Sequence, residues 1–259
     1  MQNGKLTYNG RAIEILYHGN NKNILVIILK EINQIAYNAG LKNFSINDYD
    51  FGRKFSLLGK HAYNIGGIPS LKFEATIDLT QDEKIIHSNL RKSYKSLINQ
   101  GEQETEFTII NIDNLDRKQF EAYRSFHKRV AGRTTRTDES WEAQFQMIAT
   151  GCAELIMGKM EPYGLVSSTF CSDFGDTTFY GAAVYDRDLF QMPLAHASVY
   201  KSMMRAKRRG QSLFNMGIIC QKNTVSDKEY NIGNFKKGFC NKLSCFIEWH
   251  ITVDRGRKS

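Results

Sequence analysis

The hydrophobic period of the sequence changes at residue 152, and this change restricts the folds that the chain can adopt. Residues 116–151 carry apolar side chains at the three- and four-residue spacing of amphipathic helices. Three later segments alternate apolar and polar side chains and are joined by the turn signals EPYG and GD: 152–160, 165–174 and 177–185. Alternating segments with such short connections predict an antiparallel meander.

Elements on both sides of the meander predict an α+β protein. Thr80 and Glu83 are the predicted capping box of the clearest helix, and Gly101 is its predicted end. The predicted order from residue 105 is β-α-α-β-β-β-α-β-(α)-β. Besides the meander and the two helices before it, the predicted elements are a helix at about 81–100, a strand at 105–112, a helix at about 194–209, a strand at 212–218, an irregular stretch containing FKKGF and a last strand at 245–253.

The N-terminal part has the same pattern as the second half of this order, and we interpret it as an internal repeat. The proposed equivalents of the last meander strand, the following helix, the next strand and the closing strand are 11–19, 20–40, 42–51 and 70–79. The predicted domains are therefore 1–79, the C-terminal half of a first copy, and 80–259, a complete second copy. A minimal natural protein and a truncated relative both remain possible origins of the missing half.

The composition predicts a soluble cytoplasmic protein. The chain has 259 residues, 41% of them hydrophobic, which is enough for a substantial core. The apolar run 24–29 is too short to cross a membrane, so no integral membrane segment is expected, and the N-terminus has no signal-peptide pattern. The five cysteines form no CxxC pair, which favours reduced thiols, and the six scattered histidines predict no metal site.

The basic balance of the chain favours an anionic partner. The net charge is +8 and the isoelectric point is about 9.1. Lysine and arginine cluster in 91–95 and in 201–210. Solvated helix faces explain both clusters equally well, and basic residues at a helix C-terminus are favoured by the macrodipole.

Three segments resemble the Fem family of peptidoglycan-bridge aminoacyltransferases, which are doubled GNAT acyltransferase units. They are IDLTQDEKIIHSNLRKSYKSLINQG (77–101), HASVYKSMMRAKRRGQSLFNMG (196–217) and NFKKGF (234–239), the last similar to an FKxGF-type motif. The predicted element order is also similar to that of the GNAT fold. The resemblance implies a mixed, mostly antiparallel sheet flanked by helices, with a partial second GNAT-like unit at the N-terminus.

The resemblance further implies a site for an acyl donor, which is acyl-CoA or aminoacyl-tRNA. In a GNAT-like fold two central strands diverge, and here these would be 177–185 and 212–218, with the helix that begins near Leu194 aimed at the donor. No RxxGxG-type pyrophosphate loop precedes that helix. The residues that this comparison assigns to donor binding are Phe235, Gly181, Asn215 and Gly217.

Three residues are the candidates for catalysis by direct acyl transfer to an amine. The resemblance places Lys236 at an oxyanion or phosphate, His196 as a donor-orienting or proton-relaying group, and Tyr180 as a hydrogen-bond donor to substrate. The residues alone leave other interpretations open: a solvated lysine between two anchoring phenylalanines, a surface or helix-cap histidine, and a core tyrosine.

The acceptor implied by the resemblance is a nucleotide-linked or lipid-linked amino sugar or peptide of the cell envelope. Candidate residues for binding this anionic substrate are Arg91, Lys92, Lys95, Arg133 and Arg136. The leading hypothesis is an N-acyltransferase of Fem/GNAT type. The alternatives are an aminoacyl-tRNA-dependent peptidoglycan-bridge transferase and a non-catalytic module that binds nucleic acid or anionic glycan.

Overall fold

The structure is a computed structural model that describes residues 5–8, 13–16, 22–38, 40–49, 56–240 and 242–253. The chain forms two compact units. The first unit takes its residues from 1–73 and 244–259, and the second unit is the continuous segment 74–243. Within the described ranges, every helix is too short or too polar to cross a bilayer.

The helices and strands follow one another along the chain as β1 (Lys5–Tyr8), β2 (Ile13–Leu16), α1 (Lys22–Asn38), β3 (Asn43–Asp48), α2 (Leu57–Asn64), β4 (Ile68–Asp78), α3 (Glu83–Asn89), α4 (Lys92–Glu104), β5 (Glu106–Ile110), α5 (Arg117–Ala131), α6 (Asp138–Ala149), β6 (Ala153–Met160), β7 (Gly164–Phe174), β8 (Thr177–Tyr185), a 3₁₀ turn (Arg187–Leu189), α7 (Leu194–Arg208), β9 (Leu213–Ile219), α8 (Asp227–Lys237) and β10 (Lys242–Thr252).

The first unit contains a short antiparallel pair, β1 with β2, and a sheet in the order β3-β10-β4. Strand β10 is antiparallel to β3, with His250 opposite Ser45. The alternation of β3 turns Phe44 and Ile46 into a core that Trp249 completes from β10. The sheet therefore joins segments that lie about 200 positions apart in the sequence.

The second unit contains a mixed sheet in the order β4-β9-β8-β7-β6-β5. Strands β5 to β8 pair antiparallel, which confirms the predicted meander, whereas β8 and β9 are parallel. Helices α5 and α6 place Phe120, Tyr123 and Trp141 against Leu155 and Phe170 of the sheet. The α+β class and the mixed, mostly antiparallel sheet flanked by helices are confirmed.

The predicted helix at 81–100 is two helices, because a tertiary hydrogen bond interrupts it. The Arg91 backbone N–H donates to the Gly238 carbonyl at 2.8 Å instead of continuing the helix. The capping prediction was also wrong, since Asp82 caps α3 by accepting from the Lys84 N–H. Gly101 does not end the helix but lies within α4, where an added Cβ would come 2.9 Å from the Ala197 Cβ.

The bracketed helix of the predicted order is present, and it includes the first three residues of FKKGF, a stretch that was expected to be irregular. Ser226 and Glu229 form a reciprocal capping box at the start of α8, and the helix continues to Lys237. The S-x-x-E spacing was present in the sequence as SDKE. This helix gives Lys236 a fixed backbone.

The element order required by an internal repeat is present. The succession β2-α1-β3-α2-β4 has the same order as β8-α7-β9-α8-β10. Residues 11–12, 17–21, 39 and 50–51 of the proposed first copy lie outside the described residues. The division into 1–79 and 80–259 stays a prediction, and β4 already enters the second unit at Glu74.

Candidate active site

Strands β8 and β9 lie side by side for only part of their length. Their parallel pairing joins Thr177 with Leu213, Thr178 with Phe214 and Phe179 with Asn215. Between these two strands, both fully described, no further pairing follows toward Tyr185 and Ile219. The strands therefore part after three residue pairs, and beyond that point β8 and β9 are no longer hydrogen-bonded to each other.

Two glycines lie where the strands part. On β8, Gly181 is the extra residue of a β-bulge, because Cys171 of β7 pairs with Tyr180 and Phe170 pairs with Ala182. On β9, Gly217 has a φ of +81°, a conformation that is costly for other residues. The Gly217 N–H donates to Oδ1 of Asn215 at 2.7 Å, so this backbone group is bonded to a side chain of its own strand.

The space between the parted ends of β8 and β9 forms a slot, and Lys236 lies at its open end. Its Nζ donates to the Ile218 carbonyl at 3.1 Å, and a Cβ added to Gly217 would lie 3.4 Å from the same nitrogen. Burial lowers the pKa of Lys236. An ammonium carries three N–H donors and the Ile218 carbonyl takes one, so the group keeps donor capacity for a substrate oxygen.

The FKKGF segment is held to the start of α4. The Tyr94 hydroxyl donates to the Phe235 carbonyl at 3.1 Å, and Arg91 donates to the Asn234 carbonyl at 2.9 Å. A Cβ on Gly238 would lie 2.2 Å from the Tyr94 ring, so only glycine fits there. These contacts fix the end of α8 and with it the position of Lys236.

His196 lies within an aromatic cluster rather than on the surface. Its ring centroid is 4.5 Å from that of Tyr94, 5.3 Å from that of Phe235 and 6.2 Å from that of Phe239. Burial, and secondarily the positive charge of Arg91, lowers the pKa of His196 to about 4. The imidazole is therefore neutral near pH 7, and its buried Nδ1 has no hydrogen-bond partner among the described residues.

Tyr180 belongs to a partly buried chain of hydroxyl groups. Its oxygen lies 2.9 Å from that of Tyr185, which lies 3.2 Å from Oγ1 of Thr169, which in turn lies 2.7 Å from Oγ of Ser198. Positions five apart would face opposite sides of a regular strand, but the bulge at Gly181 brings both tyrosines to one side. Burial raises the pKa of Tyr185 to about 12 and that of Tyr180 well above its ordinary value, so both remain neutral hydrogen-bonding groups.

The residues expected to bind the acceptor lie on different elements. Lys95 donates to the Ser88 carbonyl at 3.0 Å, and Lys92 is exposed at the start of α4. Arg133 is exposed in the loop after α5, while Arg136 donates to Nε2 of His127 at 2.9 Å. Their assignment to a substrate stays a prediction.

The basic run at 201–210 is largely engaged within the fold. Arg205 and Arg209 both pair with buried Glu154, Arg205 at 2.6 Å, and Arg209 also contacts Asp173 at 2.9 Å. Lys207 donates to two backbone carbonyls, each at 2.7 Å. Most of this run is thus part of the structural framework of the second unit.

Sequence reasoning did not identify Glu74, Tyr94 or Tyr185 as parts of this site. Glu74 is 7% exposed and accepts a hydrogen bond from Asn215 at 2.9 Å. A charge among the apolar positions of the strand at 70–79 was the available signal for it. Within the described ranges, no group of three or more histidine, cysteine or acidic side chains could hold a metal ion.

The fold is similar to those of several solved acyltransferase-type structures. FemX is similar with a TM-score of 0.67 and 13% identity over 94% of this chain and 82% of that chain. L-PGS from Bacillus licheniformis is similar with a TM-score of 0.64 and 14% identity, over 97% of this chain and 81% of that chain. A tandem GNAT protein from the clavulanic acid biosynthesis pathway is similar with a TM-score of 0.52 and 11% identity, over 95% of this chain and 76% of that chain. No protein-family profile and no curated protein sequence matches this chain. The Fem-like GNAT fold implied by the sequence is confirmed.

Proposed function

We propose that this protein, which has the Fem-like GNAT fold, is an N-acyltransferase. It moves an acyl or aminoacyl group from acyl-CoA or aminoacyl-tRNA onto the amine of a cell-envelope or glycan precursor. The observation that carries the proposal is the position of Lys236 at the open end of the parted strands. A reaction with these donors belongs in the cytoplasm.

The slot suits direct transfer between two bound substrates. The donor carbonyl lies between β8 and β9, where unpaired backbone groups hold it in an extended form. The neutral amine attacks the carbonyl carbon, and the Lys236 ammonium stabilises the oxyanion. The bond from the carbonyl carbon to the thioester sulfur or to the ribose ester oxygen then breaks. The proton lost by the amine is balanced by the proton gained by the leaving group. No covalent enzyme intermediate is required.

The second candidate is the aminoacyl-tRNA-dependent form of this reaction. It is supported by the fold similarity to FemX and by the absence of a Gly-rich pyrophosphate loop in the segment before α7. The non-catalytic nucleic-acid module has less support, because Arg205, Lys207 and Arg209 are engaged within the fold. In the aminoacyl-tRNA-dependent reaction, the acceptor would be a lipid-linked or nucleotide-linked amino sugar or peptide.

The test compares two adjacent lysines. Lys236→Ala should lower turnover by about 10²- to 10³-fold, the usual effect of removing one oxyanion donor. Lys237→Ala is the matched control, since that amine lies 5.8 Å from the Tyr230 ring centroid, and turnover should hardly change. The donor is identified first by thermal-shift screening with acetyl-CoA, alanyl-tRNA and lysyl-tRNA. Equal turnover of the two variants at equal folded concentration would refute the proposed role of Lys236.

A further inference from the structure

A buried carboxylate lies next to the slot and is not used by the proposed chemistry. Glu74, on the part of β4 that belongs to the second unit, is 7% exposed. Its Oε2 accepts a hydrogen bond from Nδ2 of Asn215 at 2.9 Å. Burying a carboxylate costs free energy unless it is hydrogen-bonded, so the bond to Asn215 helps to hold Glu74 beside β9.

Glu74 determines which way the Asn215 amide points. An ionised carboxylate only accepts hydrogen bonds, so it selects the NH₂ end of the amide. The amide oxygen is thereby directed at the Gly217 N–H, 2.7 Å away. That bond accompanies the positive φ at Gly217, which is where β9 departs from regular strand geometry.

The same arrangement continues to Lys236. The residue after Gly217 is Ile218, and its carbonyl accepts the hydrogen bond from the Lys236 amine at 3.1 Å. A continuous path of hydrogen bonds and one peptide segment therefore links Glu74 to the amine at the mouth of the slot. The path crosses from the part of β4 that lies in the second unit through β9 to α8, and all of it lies within that unit.

A charge interaction also connects Glu74 with the Lys236 amine. Burial lowers the pKa of Lys236, while charge interactions with Cys220, which follows β9, and with the carboxylate of Glu74 raise it. On α8 itself the neighbouring Lys237 lies near Tyr230. Glu74 thus helps to keep a desolvated amine protonated, and a protonated amine is the form that stabilises an oxyanion.

We propose that Glu74 is a positioning residue of the slot, acting through Asn215 and the turn at Gly217 to fix the place and protonation of the Lys236 amine. The geometric part of this proposal does not depend on the enzyme activity. The catalytic consequence rests on the proposed function. The experiment is therefore designed around a readout that needs no substrate.

The experiment is an NMR titration of the Lys236 side-chain amine in full-length protein labelled with ¹⁵N-lysine. The resonance is assigned by its loss in Lys236→Arg. Glu74→Gln removes the charge but keeps an oxygen that can accept from Asn215, so the pKa of Lys236 should fall while the protein stays folded. Glu102→Gln, an exposed carboxylate of the same unit, is the control and should leave this titration unchanged.

A second variant keeps the test informative if Glu74→Gln does not fold. Asn215→Ala leaves the charge of Glu74 but removes the link to Gly217, so the Lys236 resonance should shift and broaden. An unchanged Lys236 titration in Glu74→Gln, or an unchanged Lys236 resonance in folded Asn215→Ala, would overturn the proposal. Failure of Lys236→Ala to affect turnover would instead refute the catalytic role of Lys236 in the proposed function, and the two results are read independently.

Discussion

Replacing Gly217 by alanine tests whether the turn in β9 maintains the slot. Gly217 has a φ of +81°, and an L-residue in this region costs about 1–2 kcal/mol. Steric crowding adds little, because the added Cβ would lie 3.4 Å from the end of the flexible Lys236 side chain. Relaxing the strain would break the bond between the Gly217 N–H and Asn215, which is worth about 1 kcal/mol. By either route we expect a loss of about 1–2 kcal/mol and a melting temperature lower by about 2–8 °C.

Gly210 offers a matched control for this strain. It has a φ of +82° in the turn after α7, and an added Cβ would meet no atom within 4 Å. Gly210→Ala and Gly217→Ala should therefore lose similar stability in thermal unfolding. Only Gly217→Ala should also weaken binding of the donor that stabilises the wild-type protein. Equal donor affinity in both variants would show that the turn in β9 has no part in the slot.

Three further predictions concern packing, charge and pH. Gly238→Ala forces a Cβ to within 2.2 Å of the Tyr94 ring, and overpacking of this kind should cost about 1–3 kcal/mol in denaturant unfolding. Glu154→Gln breaks a buried network of two arginines and should cost about 3–5 kcal/mol, whereas Glu142→Gln, at an exposed ion pair, should leave the melting temperature nearly unchanged. The pKa of His196 is lowered to about 4 by burial, so the unfolded chain binds more protons between pH 4 and 6.5. Stability should accordingly fall as the pH drops through that range, and His196→Gln should reduce the slope of melting temperature against pH; an unaltered slope would contradict the burial of the imidazole.

The features that the sequence predicted correctly are those encoded by neighbouring residues. The meander follows from alternation within β6, β7 and β8, which short turns then force into antiparallel pairs. The parting of β8 and β9 was anticipated through the resemblance to a doubled GNAT unit, and Gly181 and Gly217 lie where it occurs. Local pattern and motif order were sufficient for these features.

The features that were missed depend on contacts between distant residues. The break between α3 and α4 contains no glycine or proline, and it is held by the bond from Arg91 to Gly238, which no periodicity reveals. Likewise, the amide of Asn215 is held by Glu74, 141 positions away, and no sequence pattern indicated this contact. Such pairings become apparent only when the sheet order is known.

The first unit must wait for the rest of the chain when the protein is synthesised. Phe44 and Ile46 of β3 leave the ribosome early, but Trp249 and Ile251, which cover them, are translated only after the whole of 74–243. Domains generally fold as units from the N-terminus onward during translation. Here the order is reversed, because the continuous second unit can be completed first, and the nascent N-terminal segment carries uncovered apolar side chains until β10 arrives.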